Sequence, residues 1–158
     1  MPLRTAHHDI RLIADLLTLA ESEAHALGDP QPGAEHLLIA SLLLDDDSAR
    51  SALGVHAATV RDALTAVHAA ALSGASVIDS STPSAVPPAR GPYRSDVSTR
   101  EVFGRAKALA RRSPSGLRAA HVLAAVAERE HGTAARVLAH LAIDRTALAE
   151  AATAAATR

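Results

Sequence analysis

The sequence predicts an all-α protein built from two copies of one four-helix unit. Three observations carry that expectation. Hydrophobic residues make up 48% of the 158-residue chain but aromatics only 1%, so the apolar set is mostly alanine and leucine, strong helix formers that allow close packing. The β-branched and aromatic runs that strands favour are scarce. Finally, a helix start with an apolar run, Pro32-Gly33-Ala34-Glu35-His36-Leu37-Leu38-Ile39-Ala40-Ser41-Leu42-Leu43, recurs in fainter form at Leu117-Arg118-Ala119-Ala120-His121-Val122-Leu123-Ala124-Ala125-Val126. His36 and His121 hold matching places 85 positions apart (121 − 36), a spacing too long for a small-repeat solenoid but suited to one duplication of a multi-helix unit.

In chain order, Asp9 is the expected cap of a first helix whose buried face is Ile10, Ile13, Leu16, Leu17, Ala20, Ala24 and Leu27, spaced at three- and four-residue steps. Gly28 ends it, and Asp29-Pro30-Gln31-Pro32-Gly33 is a turn no helix crosses. The second helix carries Glu35 in its first turn, where a carboxylate meets the positive end of the backbone dipole, and buries Leu38 and Leu42. Asp45-Asp46-Asp47 then reads as the solvated cap of a short helix, Ser48 to Leu53, closed by Gly54; three adjacent aspartates lack the spacing of a calcium loop. A fourth helix runs from about Ala57 to Leu72.

A Ser/Pro/Gly-rich stretch, Ser80 to Pro92, reads as a tether. The chain restarts with a capping-box pattern, Ser98-Thr99-Arg100-Glu101, before Val102, Phe103, Ala106 and Leu109 or Ala110. After the turn Ser113-Pro114-Ser115-Gly116, helices are expected at about Arg118–Glu130, Thr133–His140 and Asp144–Ala156. Both halves read long, medium, short, long. The chain is expected to be one domain, 1–158, with repeat 1 at about 9–72, a linker at about 73–97 and repeat 2 at about 98–156.

Composition narrows function. Sixteen basic against 17 acidic side chains, net −1, argues against a nucleic-acid partner, which needs a concentrated basic face. The absence of cysteine removes disulfide and thiolate chemistry. With no signal-like apolar core at Met1-Pro2-Leu3-Arg4-Thr5 and no run of transmembrane length, a cytoplasmic protein without a membrane partner is expected. The nine histidines show no metal-ligand spacing, so no metal or cofactor is expected, and His36 and His121 read as structural residues beneath the repeat interface. No nucleophile elbow accompanies Ser41, Ser48 or Ser51, so no catalytic residue is assigned. An enzyme that borrowed the fold would need a pocket with perturbed titratable groups. Phe103 and Tyr93, the only aromatics, read as a core residue and a linker anchor.

The strings Leu19-Ala20-Glu21-Ser22-Glu23-Ala24 and Gly33-Ala34-Glu35-His36-Leu37-Leu38 resemble the N-terminal repeat domain of Clp unfoldases of the ClpA/ClpC type, whose pattern reads roughly L-A-x-E-E-A, then G-T-E-H-(I/L)-L-L-G-L. Arg100-Glu101-Val102-Phe103-Gly104-Arg105-Ala106 and Ala134-Ala135-Arg136-Val137-Leu138 resemble parts of the second repeat. The resemblance implies an eight-helix bundle of two pseudo-twofold-related Clp repeats, and a docking module whose partners are proteins or peptides: Clp substrates, adaptors or the unfoldase itself. No G-x-x-x-x-G-K-[ST] loop occurs in these residues, so a stand-alone, non-catalytic copy is expected to act by competition or sequestration.

In some members the Glu of each G-T-E-H string pairs with the guanidinium of a phosphoarginine. Glu35 matches the first position; Ala120 stands at the second and offers no carboxylate. The threonine opening the family's first helix falls near Ile10, so a hydroxyl is missing there too. Read from the residues alone, Glu35 equally well stabilises its helix terminus, by about 0.3–1 kcal/mol. The alternative function implied is capture of cyclic-peptide antibiotics, which act on this domain around the starts of the first helices of both repeats, here Ile10–Arg11 and Ser98–Arg100. The aromatics used there by the family are not evident here.

Overall fold

A computed structural model of the chain describes residues 2–75 and 96–158, with side chains described from Ala6 to Gly74 and from Asp96 onward. Among these residues there are eight helices and no strand: α1 Pro2–Leu27, α2 Ala34–Leu43, α3 Ser48–Leu53, α4 Ala57–Ala75, α5 Val97–Ala110, α6 Ala119–Ala127, α7 Thr133–His140 and α8 Arg145–Ala156. Tyr93 and the whole of the expected tether, Ser80 to Pro92, lie outside the described residues.

Two helices form the centre. All nine residues of α6 are buried, and α2 is buried except at Glu35 and Leu43. A helix that is apolar all round must be surrounded, and here α2 and α6 pack on each other with α1 against α2 and α5 against α6. The outer helices cross over: α3 packs on α8 and α4 on α7, so each half supplies a helix to the other's flank. Alanines at Ala34, Ala40, Ala119, Ala124 and Ala125 keep these central contacts close. Along α1 the buried positions Leu12, Leu16, Ala20 and Ala24 recur every four residues, so Leu12 turns inward and Ile10, expected on the buried face, is exposed. Phe103 is partly buried against the core.

The central helices end alike. Arg50 donates to the carbonyls of Leu42 and Leu44, and Arg145 to those of Ala127 and Arg129, satisfying acceptors that a helix end leaves open. Gly54 closes α3 at φ 74°, its N–H bonded to the Arg50 carbonyl, a left-handed cap that glycine adopts without steric cost.

Two expected caps differ from the structure, and a third does more than expected. α1 begins at Pro2, not beside Asp9, whose carboxylate instead accepts from the Leu117 N–H ahead of α6. Ser98 lies inside α5, which starts at Val97 behind Asp96, so the expected capping box does not form; the Ser98 hydroxyl donates to Asp96, and Glu101 pairs with Arg129. Within the aspartate run, Asp46 rather than Asp47 takes the Ser48 N–H, and its other oxygen reaches Ala119 of α6. In the first two cases a partner far along the chain out-competes the local one; Asp46 keeps its local donor and adds a distant one.

Candidate functional site

The first turns of α2, α5 and α7 meet around a cleft of about 380 Å³ lined by residues that include Glu35, Asp96, Ser98, Glu101, Arg129, His131 and Thr133. Glu35 and Ser98, two of the residues singled out in the sequence, come together here although 63 positions separate them (98 − 35). The Ser98 hydroxyl accepts from the Ala34 N–H at 3.1 Å and donates to Asp96 at 2.8 Å. Its neighbour Thr99, fully inside, donates to the Pro32 carbonyl at 2.6 Å. These bonds join the start of α5 to the turn before α2.

Glu35 is folded back over its own helix start. A Cβ added at Gly33 would lie 2.5 Å from Glu35 Oε1, so the glycine is what gives that carboxylate room. His36 sits 3.5 Å from the same oxygen through Nδ1, but the Gly33 N–H already donates to that nitrogen at 2.9 Å. Nδ1 therefore carries no proton, and the contact is not an ion pair; the ring proton lies on Nε2, 3.0 Å from Asp29. Glu35 is left as an acceptor facing the cleft. Arg129 is held by Glu101 at 2.6 Å. Three carboxylates and one guanidinium thus make this an acidic cleft at the positive ends of three helices.

The start of α6 is built the same way and finished differently. His121 repeats the His36 cap, its Nδ1 accepting from the Arg118 N–H at 3.0 Å. Both histidines are buried, as their matching positions led one to expect. Here, however, Asp46 takes the Ala119 N–H at 2.8 Å, Ser48 the Ala120 N–H at 3.0 Å and Asp9 the Leu117 N–H at 2.9 Å. Asp46 also pairs with the Arg118 guanidinium at 3.0 Å. Burial pushes the Asp46 carboxyl up, but the N–H donors of Ala119 and Ser48 and the Arg118 guanidinium more than offset that and hold it below its ordinary value. Burial and the Arg118 charge push the His121 imidazole down. The Asp46 shift arises from a cap that joins the repeats; the His121 shift arises from burial and the neighbouring Arg118.

Of the remaining sequence candidates, Ile10 is 66% exposed in the third turn of α1, and Arg11 is exposed beside a cleft of about 360 Å³ with Asp15, Asp45 and Asp46. Arg100 is exposed on α5 and lines neither cleft. Sequence reasoning missed Arg129 and the reach of Asp46 into the second repeat, whose signal is a contact between distant segments.

Helix order, the crossed pairing of outer helices and the doubled histidine caps can be compared with solved structures. The N-terminal domain of the caseinolytic protease-associated chaperone ClpD from Arabidopsis thaliana is similar over 88% of this chain and 88% of its own, with TM-score 0.61 and 20% sequence identity. The chain has the Clp N-terminal domain fold. No protein-family model and no curated protein matches it. Among the described residues, no helix is long and apolar enough to cross a membrane, and no three His, Asp or Glu side chains cluster as metal ligands would.

Proposed function

We propose that this protein is a non-catalytic binding module that takes proteins or peptides through the acidic cleft, and so modulates a Clp protease system by competing for or sequestering its substrates and adaptors. The observation that carries the reading is the meeting of Glu35 with Ser98, Asp96 and the Glu101–Arg129 pair at one solvent-open junction of the two repeats. A half-buried carboxylate in such a cleft accepts a guanidinium or ammonium side chain, and lower dielectric strengthens the pair. Glu35 and Ser98 are the residues in contact with that group. Arg100 points to a rim contact, Ile10 and Arg11 to a separate surface on α1.

Calorimetric titration of the whole chain with an arginine-containing peptide, phosphoarginine and a full-length Clp unfoldase tests this reading. Binding of at least one of them, weakened on the order of tenfold in Glu35→Ala, is the expected result. Unchanged binding in that variant would remove Glu35 from the site, and no binding of any of the three would remove the reading.

One observation favours the alternative of antibiotic capture. Ile10 and Val97 are 66% and 57% exposed, an apolar residue left on the surface of each repeat's first helix. Binding of a cyclic peptide, and of none of the other three ligands, would select this alternative.

A further inference from the structure

A third cleft, of about 410 Å³, lies at the other end of α5, between α1, the last turn of α5 and the turn that leads to α6. Lys107 and Arg111 line it from α5, Asp9 and Ile13 from α1, with Ala110 and Leu117 beneath. Lys107 and Arg111 are exposed, one helical turn apart, and among the described residues neither has a carboxylate within ion-pair distance. Some arginines are paired, Arg61 with Glu23, Arg105 with Glu128, Arg118 with Asp46 and Arg129 with Glu101, whereas Lys107 and Arg111 are two unpaired cations that line one cleft together. Like charges at that helical spacing repel each other. The negative end of the α5 dipole accounts for a positive charge in this turn, but it does not require two cations to converge on one cleft. The single carboxylate opposite them, Asp9, already spends one oxygen on the Leu117 N–H.

We propose that this cleft docks an acidic, aliphatic peptide segment of a partner protein, with carboxylate side chains against Lys107 and Arg111 and an aliphatic one against Ile13. Charge complementarity selects the acidic partner, since two unpaired cations face one partly occupied carboxylate. The apolar floor selects a peptide over a nucleic acid, which would need a longer basic stripe than a chain of net charge −1 presents here. The cleft is opposite in charge to the one holding Glu35 and shares no lining residue with it, so the two take different groups independently.

The test is an NMR titration of the isotope-labelled whole chain with a blocked hexapeptide alternating glutamate and leucine. The expected result is shifted amides at Lys107, Ala110, Arg111 and Leu117, with affinity falling on the order of tenfold in the double variant Lys107→Glu, Arg111→Glu. The milder pair Lys107→Gln, Arg111→Gln only neutralises two exposed side chains, and a smaller loss in the same direction is expected. The charge-reversed variant should gain affinity for the lysine–leucine peptide. Absence of shifts at those amides, equal affinity in both double variants, or equally tight binding of a glutamate–serine peptide would each overturn the proposal.

Discussion

The starts of α2 and α6 carry the same histidine cap and lie in opposite surroundings. At α2 the Gly33 and Ala34 N–H groups are capped, Glu35 folds over the turn, and the Glu35 N–H has no hydrogen-bond partner among the described residues. At α6 four successive N–H groups, from Leu117 to Ala120, are taken by Asp9, His121, Asp46 and Ser48. A helix start has four such donors to satisfy, and the two repeats divide them differently. In one, a carboxylate of the helix itself remains available to solvent. In the other, a carboxylate borrowed from the opposite repeat is consumed by the fold, and alanine replaces the residue that would have faced outward. Duplication alone therefore does not give two equivalent sites.

The largest break in this comparison should come from Asp46→Ala. It strips two backbone donors and leaves the Arg118 guanidinium, 25% exposed, without its partner. Partial burial discounts the loss expected of a fully buried pair, giving roughly 2–3 kcal/mol in urea unfolding. A loss below that of a surface control would mean the weld carries little. Because the folded-state carboxyl is held below 3.8, its contribution is present above that pH and disappears as pH falls through the lower folded value. Asp46→Asn should flatten this acid limb of the stability curve.

A smaller effect concerns His121. The His121 imidazole is held below 6.5 in the folded state, so the unfolded chain binds its proton first and stability falls as pH drops below 6.5. His121→Asn, which keeps an acceptor for the Arg118 N–H, should remove that fall in thermal unfolding from pH 7 to pH 5. A profile identical to the parent would place the dependence elsewhere.

Next, Ser98→Ala removes the acceptor for Ala34 and should cost about 1 kcal/mol, typical of a lost helix cap, while loosening the cleft. Least affected in stability is Glu35→Gln, expected to lose only about 0.3–1 kcal/mol, the worth of a charge at a helix start. Measured beside its binding loss, it tells a ligand contact from a helix stabiliser: a stability loss with intact binding would favour the second.

What could be read in advance tracks what is local. α3 at Ser48–Leu53 and α7 at Thr133–His140 fall where the sequence places them, because Gly54 and Gly132 punctuate the chain. Glu35 was legible from its place in a first turn, and His36 and His121 from their shared register. Asp9 and Ser98 misled as caps for one physical reason: each is a good local cap by residue type, but its oxygen bonds a donor 108 or 64 residues away. Asp46 was legible as a cap but not as one serving another repeat, and no spacing rule links it to Arg118.

The crossed arrangement of the outer helices, α3 on α8 and α4 on α7, has a consequence for how the molecule comes apart. Residues 1–75 expressed alone would present bare flanks where α7 and α8 belong, and residues 96–158 the converse. Two such fragments, mixed, should recognise each other and reconstitute the native bundle by complementation, each serving as the missing scaffold of its twin.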